Sequence, residues 1–119
     1  MTVYPIAPVA YPRMTRKDKW LMPRRPVVQA FFDFRDEIGL HHVEIPIPSK
    51  VTFWMQMPAS WSQKKRNAMF GQPHTQAPDI DNILKALLDS VFQGNDAIVW
   101  SIWPQKMWSN NPGIEVLPL

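Results

Sequence analysis

Three features of the chain predict a mixed α+β domain of the broad α/β class, a small mixed sheet of about four strands packed with two or three helices. Residues 80–91 place Ile80, Ile83, Leu84, Leu87, Leu88 and Val91 on one face of a helix. A second stretch of helical spacing follows Pro26, and short β-rich runs bounded by proline, glycine and serine lie around both. At 119 residues there is sequence for one core and not for two, so residues 1–119 are expected to form a single domain.

Taken in order, Val3 to Ile6 fits a short strand, with Pro5 placing it at an edge or ending it early. Residues 8–26 are rich in proline and arginine and form an irregular loop. Pro26 suits the first position of a helix, and apolar residues at 27, 28, 31, 32, 34 and 38 carry that helix to Gly39. His42 to Ile47 and Val51 to Met57 are expected to be two strands joined by a tight turn through Pro48, Ser49 and Lys50. Ser60 followed by Gln63 is a capping box for a short helix running to about Phe70. Residues 71–78 are a loop by composition. The clearest helix starts near Asp79 and closes at Gly94, a left-handed cap. Ala97 to Lys106 and Gly113 to Leu117 supply the last two strands.

An apolar fraction of 45% and a mean hydropathy of −0.25 suit a water-soluble globular chain. The longest apolar runs span only a few residues, so no membrane segment is expected. The start, MTVYPIAPVAYPR, lacks the charged head and apolar run of a signal peptide. The absence of cysteine excludes disulfides and thiolate metal sites and fits a reducing cytoplasm.

The formal net charge is +3, and its distribution is informative. Arg13, Arg16, Lys17, Lys19, Arg24 and Arg25 hold six of the thirteen cations, and Lys64, Lys65 and Arg66 form a second cluster. From Asp79 to Asp96 there are instead four acids and one base, Lys85. Bases so grouped can grip a polyanion, with affinity gained by counterion release and no reading of sequence. Arg13, Arg16, Lys17, Lys19, Lys64, Lys65 and Arg66 are the candidates, against the plainer alternative of a solvated face. Trp20, Trp54 and Trp61 lie among them and could stack on unpaired bases, although most aromatics of a small domain fill its core or an interface.

Asp79, Asp81, Asn82, Lys85 and Asp96 form the constellation that could carry chemistry. Spacing by itself allows a purely structural account. An aspartate before a helix caps free amides, one in the first turn favours the macrodipole, and Asp81 with Lys85 makes an ordinary i,i+4 pair. His74, a loop histidine five residues before Asp79, could contact DNA or a metal-bound water, although a lone loop histidine is usually solvated.

The run PDIDNILKALLD followed by Gly94-Asn95-Asp96 resembles the signature of the RusA family of Holliday junction resolvases. SWSQKKR followed by GQPHT is similar to its phage-borne branch. The resemblance is strong over residues 58 to about 107. It implies that Asp79, Asp81 and Asp96 are metal-binding catalytic acids and that Lys85 is a catalytic or phosphate-facing base. Asn95 stands where the family often has a further aspartate. The implied enzyme is a Mg²⁺-dependent endodeoxyribonuclease, with Mn²⁺ able to substitute and no organic cofactor, in the cytoplasm of a bacterial or phage-infected cell. Its implied partners are branched DNA, above all the four-way junction, and a second copy of itself. Symmetric resolution needs two nicks related by a two-fold axis, which a C₂ homodimer supplies. Two alternatives are a non-catalytic dimeric protein that binds branched DNA and a nuclease acting on flaps or forks.

Overall fold

The computed structural model describes all residues, 1–119, in the order β1 (Thr2–Tyr4), α1 (Pro26–Leu40), β2 (Ser49–Gln56), α2 (Gln63–Met69), α3 (Ile80–Phe92), β3 (Ile102–Ser109) and β4 (Gly113–Pro118). The four strands form one mixed sheet in the order β1-β4-β2-β3. β2 is its centre, antiparallel to β4 and parallel to β3. The mixed α+β class expected from the sequence is the one observed.

One face of the sheet carries the core. Val51, Phe53 and Met55 of β2 and Ile114 and Val116 of β4 pack with Phe31, Phe34 and Ile38 of α1 and Ile83, Ala86 and Leu87 of α3. The helical periodicities of the sequence are therefore real. Of the apolar residues of α1, Val28, Phe31, Phe34 and Ile38 are buried and Val27 is left exposed. On the opposite face Trp54 stacks on Phe70, with centroids 6.2 Å apart and ring planes 9° from parallel.

Local details differ from the expectations in ways that have physical causes. His42 to Ile47 is not a strand. Val43 and Ile45 are buried and alternate with exposed residues, which produced the strand-like pattern, yet the segment joins no ladder. His42 takes a left-handed conformation (φ 50°) directly after α1, and Pro46 and Pro48 have no N–H to donate. Ser49 and Lys50, expected in a turn, instead open β2 and pair with Ile102 and Trp103 on one side and Pro118 and Leu117 on the other. The Ser49 hydroxyl, fully buried, donates to the Pro46 carbonyl.

At α2 the cap is Ser62 and not Ser60: its hydroxyl accepts the Lys65 N–H at 3.2 Å. At the end of α3, Gln93 takes the left-handed cap position (φ 49°) and Gly94 (φ 86°) extends the turn. Asp96–Ile98 form a 3-10 turn where a strand was expected, and β3 starts only at Ile102 and runs to Ser109. Pro104 is tolerated inside β3 because that strand lies at the sheet edge.

Leu87 has no exposed surface and sits between α1 and the sheet, whereas Leu40 is 71% exposed. Leu87→Ala is expected to cost about 2–5 kcal/mol in equilibrium denaturation, and Leu40→Ala under about 0.5 kcal/mol. Equal losses would show that the core is not where α1, α3 and the sheet meet.

Candidate active site

The start of α3 is built by its neighbours. The backbone of residues 71–74 lies along the outer edge of β3: Gly71 N–H donates to the Trp108 carbonyl at 3.0 Å, Trp108 N–H to Gln72 at 2.9 Å, and His74 N–H to Lys106 at 3.0 Å. The Lys106 ammonium then donates to the carbonyls of Gln76 (2.7 Å) and Pro78 (2.8 Å). Five residues of the otherwise irregular stretch before Asp79, Gly71, Gln72, His74, Gln76 and Pro78, are thereby fastened to β3. On the other side, Tyr11 N–H donates to the Asn82 carbonyl at 3.1 Å, which holds the N-terminal loop against the first turn of α3.

Asp79 is the N-cap residue of α3, but only its backbone serves the cap. Its carbonyl accepts from Asn82 and Ile83, and its carboxylate makes no capping hydrogen bond. Asp81, in the first turn, is exposed. The capping account of Asp79 thus fails at the atom that matters; Asp81 keeps its favourable place in the first turn, and both carboxylates stand exposed at the positive end of a helix dipole. Lys85 is not bound to Asp81 or Asp89. Its Nζ lies over the Tyr11 ring, 4.7 Å from the centroid, so the cation is steadied on the same side as the N-terminal loop.

Asp96 is not brought to this pair within one chain. It lies beyond the far end of α3, a helix of 13 residues and so about 20 Å long. No three histidine or acidic side chains of the protomer converge on a common point.

The expected DNA-contacting bases divide by what their side chains already do. Arg25 grips Asp18 with two hydrogen bonds of 2.8 and 2.7 Å and donates to the Arg13 carbonyl at 2.9 Å. These contacts, with the Thr15 N–H, hold the Asp18 carboxyl well below the usual carboxylate range, the Arg25 hydrogen bonds being the largest cause. The loop is closed by this clasp, and Arg13, Arg16, Lys17 and Lys19 project from it exposed. Lys64 and Lys65 are also exposed, with Lys65 Nζ 4.3 Å from the Trp61 centroid. Arg66 is different. It donates to the carbonyls of Trp61 (3.2 Å) and Pro58 (2.8 Å) and to the side chain of Asn110 (3.1 Å), so it braces α2 against the turns on either side.

Two residues of the region escaped the sequence reading. Lys106 and Trp108 lie in β3, where nothing in the local sequence marks them as neighbours of Asp79. The expectation for His74 is overturned: it is 7% exposed, not solvated. Its ring lies against Trp108, with centroids 4.3 Å apart, and Trp61 packs on Trp108 at 4.7 Å. A cleft of about 510 Å³ opens here, lined by His74, Trp108, Met55, Met57 and the segment reaching Pro78. A cleft of similar size, about 530 Å³, lies between Pro5–Val9 and α1, but Asp33, Asp36 and Glu37 line it and would repel a polyanion.

A small α+β domain that sets two free carboxylates among ordered basic loops has the parts of an enzyme that cuts a phosphate backbone. The chain belongs to the RusA endodeoxyribonuclease family: the family described as endodeoxyribonuclease RusA matches residues 33–117, which hold β2, β3, nearly all of β4 and all of α2 and α3. It is therefore an enzyme that hydrolyses DNA. No curated protein and no solved structure matches the chain. No helix is long and apolar enough to cross a membrane.

Burial, and secondly the Lys106 charge, lower the pKa of His74 below its ordinary value, so the folded chain keeps the ring neutral at pH 7. As pH falls through about 6.5 the unfolded chain binds a proton at this position that the folded chain resists, and stability must fall. His74→Gln should flatten the decline in melting temperature between pH 7.5 and pH 5; an unchanged slope would assign the proton uptake to another group.

Proposed function

We propose that the protein is a divalent-metal-dependent endonuclease that resolves four-way DNA junctions as a homodimer, with Asp79 and Asp81 as the carboxylates that hold the metal. The observation that carries this reading is the free state of those two carboxylates on the first turn of α3, beside a backbone fixed by Lys106. Two exposed hard oxygen donors fit Mg²⁺, which takes one or two carboxylates and completes its shell with water and substrate phosphate oxygens, and Mn²⁺ accepts the same donors. A cation held there supplies an activated water and offsets charge on the phosphodiester.

The remaining roles belong to side chains. Lys85, with no carboxylate partner, faces phosphate and stabilises charge developing on it. Arg13, Arg16, Lys17, Lys19, Lys64 and Lys65 hold the arms of the junction by charge, without reading their sequence. Arg66 supports the same surface from beneath. Asp96 is about a helix length from the pair in its own protomer, and we assign it to the site of the two-fold mate. A dimer then assembles each site from two chains, which couples cutting to assembly and gives the paired nicks that resolution requires.

Cleavage of a four-way junction should depend on Mg²⁺ or Mn²⁺. Asp81→Asn should lose at least ~100-fold of that activity while still retarding the junction in a gel. A variant that cuts at the wild-type rate would remove Asp81 from the site; binding without cleavage in any metal would leave a non-catalytic junction binder. Three-way, flap and fork substrates in the same assay rank the alternatives.

Mixing separately inactive Asp81→Asn and Asp96→Asn chains tests the shared site. Heterodimers carry one intact site if Asp96 acts across the two-fold, so nicking should reappear on mixing. If every mixture stays inactive after subunit exchange, Asp96 serves its own chain or none.

A further inference from the structure

The cleft beside Asp79 has a wall that neither the fold nor the proposed hydrolysis needs. His74 is more than nine-tenths buried, yet its Nδ1 has no hydrogen-bond partner. Buried side-chain nitrogens are nearly always paired, and this orphan belongs to a residue that lines the cleft. The ring packs on Trp108, and the thioethers of Met55 and Met57 also line the cleft. Aromatic faces and thioethers are good partners for a flat π system. Gln76 adds an amide at the rim. At the mouth, Trp61 continues the stack from Trp108 and Lys65 lies over it, with Lys64 exposed alongside. The stretch of the lining that starts at His74 ends at Pro78, one position before Asp79.

From this arrangement we infer that the cleft between His74, Trp108 and Met57 takes one unpaired nucleobase of the DNA substrate. The inference rests on the DNA-cutting reading above and extends it. A base stacked in the cleft leaves its phosphates toward the lysines at the mouth, and its backbone continues toward Asp79 and Asp81. The cleft thus selects the nucleotide beside the bond to be cut. The strand-exchange point of a junction is where a base leaves its stack at least cost, since its neighbours are already interrupted. Charge complementarity favours a nucleotide over an apolar peptide, because the cations sit at the opening and the carboxylates lie where the metal is expected.

The test is binding without cleavage, by fluorescence anisotropy in EDTA, using four-way junctions with a single abasic nucleotide at each position around the crossover in turn. One position should weaken wild-type binding about 10-fold, the scale of a lost base–aromatic stack, and the others little. In His74→Leu the intact junction should bind as weakly as that abasic junction binds wild type, with no further abasic penalty. Ala59→Trp, which fills the cleft from an exposed turn, should do the same and covers the case in which the histidine variant fails to fold. Equal affinity for all abasic junctions, or a penalty that survives in a folded variant, overturns the inference. If metal-dependent cleavage persists in that outcome, the nuclease reading stands without it; a chain that binds no junction at all removes both.

Discussion

Parallel pairing between β2 and β3, held over eight registered positions from Ser49–Ile102 to Gln56–Ser109, is the constraint on which the rest of the structure depends. A parallel neighbour cannot be reached through a tight turn; the chain must cross over and return to the same end of the sheet. Here the crossover contains α2, the segment 71–78 and α3, which are the parts that carry the basic cluster, the cleft and the acids. The return also fixes which end of α3 meets which end of β3. Because β3 runs back along the helix, its C-terminal residues Lys106 and Trp108 arrive at the N-terminal end of α3. Lys106 then secures the last residues before Asp79 by two carbonyls at once.

The electrostatic design follows from that geometry. Asp79 and Asp81 have their charge at a helix N-terminus, the favourable end for an anion, and the N-terminal loop and α2 bring cations to the surrounding surface. Ordering those loops costs conformational freedom, and specific clasps offset it: Arg25 to Asp18 in one loop, Arg66 to three acceptors in the other. Arginine suits both tasks because its planar fork satisfies several acceptors together. The lysines of the same loops, Lys17, Lys19, Lys64 and Lys65, are exposed. At Lys64, Lys65 and Arg66 the difference falls between neighbours: Arg66 is engaged by three acceptors and the two lysines are exposed.

Edge protection and function are combined at β3. An edge strand exposes unpaired backbone groups and invites association. Along residues 106–108 that edge is covered by Gly71–His74, whose backbone hydrogen bonds are the same ones that place His74 over Trp108. Toward its other end the strand leaves Trp103 exposed, and Trp100 just ahead of it is 76% exposed. Trp100 and Trp103 thus put exposed aromatic surface within a few residues of Asp96.

What the sequence determined was what is periodic or local. The buried stripes of α1 and α3 follow from apolar spacing, because a helix can bury only one side. The class of fold follows from how those stripes alternate with short β-rich runs. The resemblance between Pro78 and Asp96 implied the family that the chain belongs to. Local chemistry failed where two local accounts were equally good: Ser60 and Ser62 both precede α2, and only the hydroxyl that reaches the Lys65 N–H is the cap. Tertiary structure alone decided the long-range matters. It drew Ser49 and Lys50 out of an expected turn into a strand, since partners on both sides outweigh turn propensity. It buried His74, separated Asp96 from the pair, and left Asp79's carboxylate unspent. Each of these depends on which residues from distant parts of the chain meet, a question of packing and strand register that spacing along the sequence does not contain.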